Sequence, residues 1–177
     1  SSQPMNKIGR LRISSAGAYL APIRLRPNLK IHSESTVTRL LFEKKKCIGA
    51  EVITNTGETK RYEAQTTVLC AGAIMSPAIM LRSGIGPKEE LEALGITTVV
   101  DVPGVGKNLC DHPALAVVAH VKPGVQINRD DPIIQTILRY TAEGSDKRND
   151  LQSEQISFAG TEKSPPAFSI AAVLEYQ

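Results

Sequence analysis

The sequence has no tryptophan, and only three phenylalanines and four tyrosines, so aromatics make up 4% of its 177 residues. A core must therefore be built from Leu, Ile, Val and Ala, and the 41% hydrophobic content is enough to build one. Aromatics do not alternate with basic residues as single-strand nucleic-acid binders require. No apolar run approaches the roughly 20 residues of a membrane-spanning helix, and no signal peptide opens the chain. Charge of one sign is also lacking, the net charge being +3. The one basic run, Lys44-Lys45-Lys46, falls between two strand-like segments and reads as a solvated hairpin tip; no nucleic-acid partner is expected. Cysteines number three, Cys47, Cys70 and Cys110, without CxxC or Cys/His spacing. That excludes a recognisable zinc site. An odd count in apolar settings points to reduced thiols and a cytoplasmic setting. The first residue is Ser1 rather than Met, which suggests a piece trimmed from a longer chain.

What is present divides into β and mixed segments. Ser14-Ser15 precede Ala16 to Ala21, and Pro22 follows, which predicts a short helix closed by proline. Pro27-Asn28 signals a turn, with a short strand expected around Leu29 and Ile31. From Val37 to Ala64 short β-type runs, 36–42, 47–53 and 59–63, are separated by charge or by Asn55-Thr56-Gly57-Glu58, and predict an antiparallel meander. Thr66-Thr67-Val68-Leu69-Cys70 is instead continuously apolar and β-branched, as expected of a parallel strand covered on both faces. It runs into Ala71-Gly72-Ala73, and Ser76-Pro77 reads as the start of a helix over Ala78 to Leu81. A second helix is expected over 88–94, a short strand at Val99-Val100, a strand over 114–121 and a helix over 132–142. The charged stretch 143–153 reads as a loop, with strands at 155–159 and 168–174.

The unit from Thr66 to Gly86 carries the chemistry. A strand ending in small residues lets another group approach the main chain, and the following helix offers free N–H groups and a positive dipole end. Ligands of open α/β sheets bind at the carboxyl ends of strands. Ala71, Gly72 and Ala73 are thus candidates for a cofactor phosphate; the bland alternative is a tight turn with no ligand. Gly84-Ile85-Gly86 and Gly104-Val105-Gly106 fail as dinucleotide fingerprints, because neither follows a long apolar strand and opens a long helix. Both read as turns, and their failure argues against an NAD-type domain.

Residues 72–87, Gly-Ala-Ile-Met-Ser-Pro-Ala-Ile-Met-Leu-Arg-Ser-Gly-Ile-Gly-Pro, resemble the second signature of the glucose–methanol–choline (GMC) oxidoreductases. On either side, 14–22 with Arg26-Pro27-Asn28-Leu29, and Gly104 to Pro113, resemble further stretches of that family in the same order. The resemblance implies an α/β fold: a partial Rossmann-like FAD-binding domain with an antiparallel β-meander, plus the start of an antiparallel-sheet substrate domain. Residues 1–25 would lead in from the substrate domain, 26–110 would form the later part of the FAD domain, and 111–177 would begin the substrate domain. It also implies FAD as cofactor. Ala71 and Gly72 would pass the pyrophosphate and ribose, with Ala73 and Ser76 in the same site, and Val37 would meet the adenine through its backbone; the alternative for Val37 is an ordinary buried valine. Asn108, Asp111 and His112 would lie near the domain seam on the flavin side, with no catalytic role assigned to them.

By this resemblance the parent enzyme oxidises the CH–OH group of an alcohol, passing hydride to the flavin. The fingerprint and the catalytic His of the family lie outside this stretch, so the chain is expected to be an internal piece, inactive by itself and holding little or no FAD. A non-catalytic binding or assembly module that keeps the scaffold is the alternative.

Overall fold

The structure is a computed structural model that describes residues 6–9, 11–128, 131–159 and 167–174. In chain order the strands and helices are β1 (Lys7–Ile8), β2 (Leu11–Arg12), β3 (Ser35–Glu43), β4 (Lys46–Thr54), β5 (Thr59–Glu63), α1 (Gly72–Arg82), β6 (Ile85–Gly86), α2 (Lys88–Ala93), β7 (Val100–Asp101), β8 (Ala114–His120), β9 (Ile134–Tyr140), β10 (Leu151–Ala159) and β11 (Ala167–Leu174). They divide into two compact units, residues 30–109 and residues 1–29 with 110–177.

In the first of these, β3, β4 and β5 form the expected antiparallel meander. Lys44-Lys45 make its exposed first turn, and the Asn55–Gly57 turn closes on a Gly57 N–H to Thr54 carbonyl bond of 2.9 Å. The β3/β4 register shifts between Val37 and Arg39, leaving Thr38 as a bulge without a partner residue in β4. α1 packs on β3 and buries Ile79. Beyond it, β6 and β7 form a two-residue parallel pair. Among the described residues, Leu91 of α2 is the most deeply buried large side chain, 1% exposed. Gly86 lies where a Cβ would sit 2.5 Å from Leu81 Cδ2 and 3.6 Å from Leu91 Cδ1, so its lack of a side chain lets α1, β6 and α2 close together. The Asp101 carboxylate accepts the Lys88 amide at 3.1 Å, supplying from β7 the cap that Pro87 cannot give α2.

Several sequence-based expectations change here. The segment 66–70 is not paired with any described strand, and Val68 is 78% exposed. A parallel strand draws its hydrogen bonds from neighbours delivered by crossovers, and among the described residues the only parallel pair is β6/β7. The stretch around Leu29 and Ile31 is likewise unpaired, with Ile31 48% exposed. α1 begins at Gly72, ahead of the Ser76-Pro77 start signal, and Pro77 lies inside it. The proline is tolerated within two turns of the helix start, where its missing N–H forfeits a single intrahelical bond. Another concerns 132–142, described with its sheet below.

In the other unit Ala16–Leu20 form a π-helical turn and Ala21–Ile23 a 3-10 turn, and Pro22 lies within the second turn rather than closing it. Ser14 Oγ accepts the Gly17 amide at 3.1 Å. β8, β11, β10 and β9 form an antiparallel sheet in that order. The helix expected over 132–142 is β9: its Ile and Thr residues pair in register with β10, Ile137 opposite Glu154 and Leu138 opposite Ser153. β10 starts at Leu151, inside the stretch read as loop. Ile137 and Ala171 are buried in this sheet, and Arg139 Nε donates to the buried Gln152 Oε1 at 2.9 Å. Asp150, 8% exposed, accepts the Ala142 amide at 2.8 Å; hydrogen bonds from Ser145 and then Ala142 hold its carboxyl below the ordinary carboxylate range. Strand β8, at one edge, leaves Leu115, Val117 and Val118 largely exposed.

Candidate functional site

The site starts from the conformation of Gly72. Its φ of +84° lies where residues with a side chain are strained, and a Cβ built on it meets nothing within 4 Å. The corner is therefore open, not filled by neighbouring side chains. Ala71 just before it, with φ −90° and ψ 12°, turns the chain into α1. Its amide donates to Ser76 Oγ at 3.0 Å, so one hydroxyl reaches back over the first turn and fixes how the helix begins. The amides of Gly72, Ala73 and Ile74 stand at the helix start, where no intrahelical acceptor exists for them. Residues 71–75 are exposed and the first turn carries no acidic side chain. A phosphate would meet no opposing charge there, and the helix dipole favours it. These residues fit a nucleotide's pyrophosphate.

Val37 is half-buried and pairs with Val52, one residue before the Thr38 bulge. It lies in the same unit, 30–109, as Ala71, Gly72, Ala73 and Ser76. The link between strand and helix is at the far end of α1. Arg82 Nε donates to the Thr38 carbonyl oxygen at 2.9 Å, and the Leu40 amide donates to Ser83 Oγ at 2.8 Å. The bulge is also held from the β4 side. Thr38 Oγ1 donates to the Glu51 carbonyl oxygen at 3.1 Å, and Arg39 grips the Glu51 carboxylate through Nε and Nη2 at 2.9 and 3.1 Å. Arg61 Nε adds a longer contact of 3.4 Å. The hydrogen bond from Arg39, with its charge and that of Arg61, outweighs partial burial and lowers the Glu51 pKa from its ordinary value; Arg39 is raised in return.

Arg82 and Ser83 sit inside the quoted signature but read there as no more than a helix end. The available signal is their polarity at the close of an otherwise apolar helix. Asn108 has φ +55° and belongs to the 30–109 unit, whereas Asp111 and His112 belong to the other. Asp111 Oδ1 accepts the His112 amide at 2.8 Å. Among the described residues no cluster of three or more His, Cys, Asp or Glu could hold a metal, and no helix is long and apolar enough to cross a membrane.

The family model described as GMC oxidoreductase matches residues 4–114, well over half of the chain. The chain belongs to the GMC oxidoreductase family. A GMC-type oxidoreductase of uncharacterised function from Rhodococcus erythropolis is 36% identical over 135 residues, which cover 76% of this chain and 27% of that protein. Mitochondrial choline dehydrogenase of Homo sapiens is 44% identical over 101 residues, covering 57% of this chain and 17% of the relative. Among solved structures, pyridoxine 4-oxidase from Mesorbium loti superposes with a TM-score of 0.81 at 25% identity, over 97% of this chain and 35% of that one. An FAD-dependent oxidoreductase from Chaetomium thermophilum does so with a TM-score of 0.60 at 34% identity, over 65% and 21%. The chain thus spans about a quarter or less of the curated relatives' length. The mixed α/β architecture with antiparallel sheets is that of this GMC oxidoreductase family.

Proposed function

We propose that this chain is part of an FAD-dependent oxidoreductase acting on the CH–OH group of an alcohol donor, and that it holds the ADP half of the cofactor. The observation that carries this reading is the open corner at Gly72, with positive φ and no side chain within 4 Å of a Cβ, at the head of an eleven-residue helix. Membership of the GMC family supports a dinucleotide as the ligand of that corner. Bound FAD would supply the hydride acceptor for alcohol oxidation.

In this reading the amides of Gly72 and Ala73 bind the pyrophosphate, and Ala71 gives it unobstructed main chain. Ser76 keeps the turn in shape by accepting the Ala71 amide. The main chain of Val37 meets the adenine, the residue being half-buried and opposite Val52 in the ladder. Residues 26–110 are the later part of the FAD domain, 111–177 the start of the substrate domain and 1–25 its lead-in; the division of the chain near residues 29 and 109 supports that assignment. No residue of this stretch is assigned the role of proton acceptor.

The test is the visible spectrum of the whole protein. Bound FAD that is bleached anaerobically by an alcohol such as choline or an aryl alcohol supports the reading. A colourless protein that takes up no added FAD would overturn it.

A further inference from the structure

The bonds made by Arg82 and Ser83 fall on the outer edge of β3, the edge that β4 does not pair. An edge strand ordinarily leaves such groups to solvent, and a bulge loosens the ladder beside it. Here both weaknesses coincide at Val37–Leu40, and both are closed from one helix end. The Thr38 carbonyl receives a charged donor. The Leu40 amide finds a hydroxyl that is 8% exposed and that itself donates to the Ile79 carbonyl, so the hydroxyl is used as both donor and acceptor. No local requirement of α1 explains the reach of Arg82, which bonds a carbonyl 44 residues away.

We propose that Arg82 and Ser83 are positioning residues for the adenosine end of the dinucleotide. By fixing Thr38 and Leu40 from outside the sheet, they hold the main chain of Val37 in the one conformation adenine can pair with. The same helix begins at Gly72, so a single rigid rod of about 16 Å joins the phosphate corner to the adenine strand. This rests on the FAD reading given above.

The experiment uses the whole protein stripped of flavin, with ADP as the probe, in wild-type, Arg82→Met, Arg82→Lys and Ser83→Ala forms. Affinity is measured by isothermal titration, and the melting temperature is recorded without ligand. Arg82 is exposed, so its variants are expected to fold even if Ser83→Ala does not. The expected result is an ADP affinity lowered about tenfold in Arg82→Met, with recovery to within about twofold in Arg82→Lys, which restores a charged donor. The unliganded melting temperatures of the two Arg82 variants should agree. Unchanged ADP affinity in Arg82→Met, equal loss in Met and Lys variants, or a loss that merely tracks the melting temperature would each overturn the proposal while leaving the FAD reading intact. Wild-type protein that binds neither FAD nor ADP would overturn both.

Discussion

Arg39 holds both carboxylate oxygens of Glu51, at 2.9 and 3.1 Å, directly after the bulge in β3. Two adjacent strands are thereby cross-linked on one face at the point where their register slips. Because this contact depresses the Glu51 pKa, its contribution is complete above the ordinary value of 4.5 and is lost as pH falls through the lower folded-state value. Chemical denaturation midpoints measured from pH 7 to pH 3 should therefore fall below about pH 4.5. Glu51→Gln should start lower at pH 7 and change less over the acid range. Parallel curves for the two proteins would show that the pair does not govern acid sensitivity.

Gly72 separates backbone strain from ligand clash. Gly72→Ala has room for its methyl group but not the preferred dihedral, so it should cost about 1–2 kcal/mol in denaturation experiments. Gly72→Val in the whole protein should in addition lose FAD on gel filtration, because a branched side chain would occupy the phosphate approach. FAD retained at normal affinity would place the cofactor elsewhere.

Packing around Leu91 should dominate the stability of the 30–109 unit. Leu91→Ala is expected to cost about 2–5 kcal/mol, and Gly86→Ala about 1–3 kcal/mol, by pressing on Leu81, which packs beside Leu91 around Gly86. The two substitutions touch the same cluster, so a double variant should depart from additivity in urea titrations.

Strand β8 combines a sheet edge with exposed Leu115, Val117 and Val118. Such an edge is a template for association. Val117→Lys should lower the light scattering of the purified chain at a given concentration without changing its circular dichroism. Scattering that is indifferent to the charge would locate the sticky surface away from β8.

The meander was legible in the sequence because each of its signals is local: β-branched runs, the Lys44-Lys45 turn and the Asn55–Gly57 turn lie where the strands need them. Of the glycine corner only the small residues before α1 were legible; the strand expected ahead of it is absent and the helix starts earlier than Ser76-Pro77 signals. β9 was not legible, since Ile133, Ile134, Ile137 and Leu138 fall at helical spacing and only pairing with β10 decides between the two periods. The 66–70 run shows the converse, a strand-like composition without the partner strands that make a strand. Least visible was the Arg82–Thr38 contact, which joins residues 44 apart and depends on a bulge that no residue type announces.

One unit of the chain is interrupted by the other: 1–29 belong with 110–177, and 30–109 come between them. On the ribosome the leading segment must wait for the intervening eighty residues before its companions exist, on the order of 4–16 s at about 5–20 residues per second. The middle unit can form during that delay. Synthesis order thus favours completing residues 30–109 before the strands of the discontinuous unit can come together.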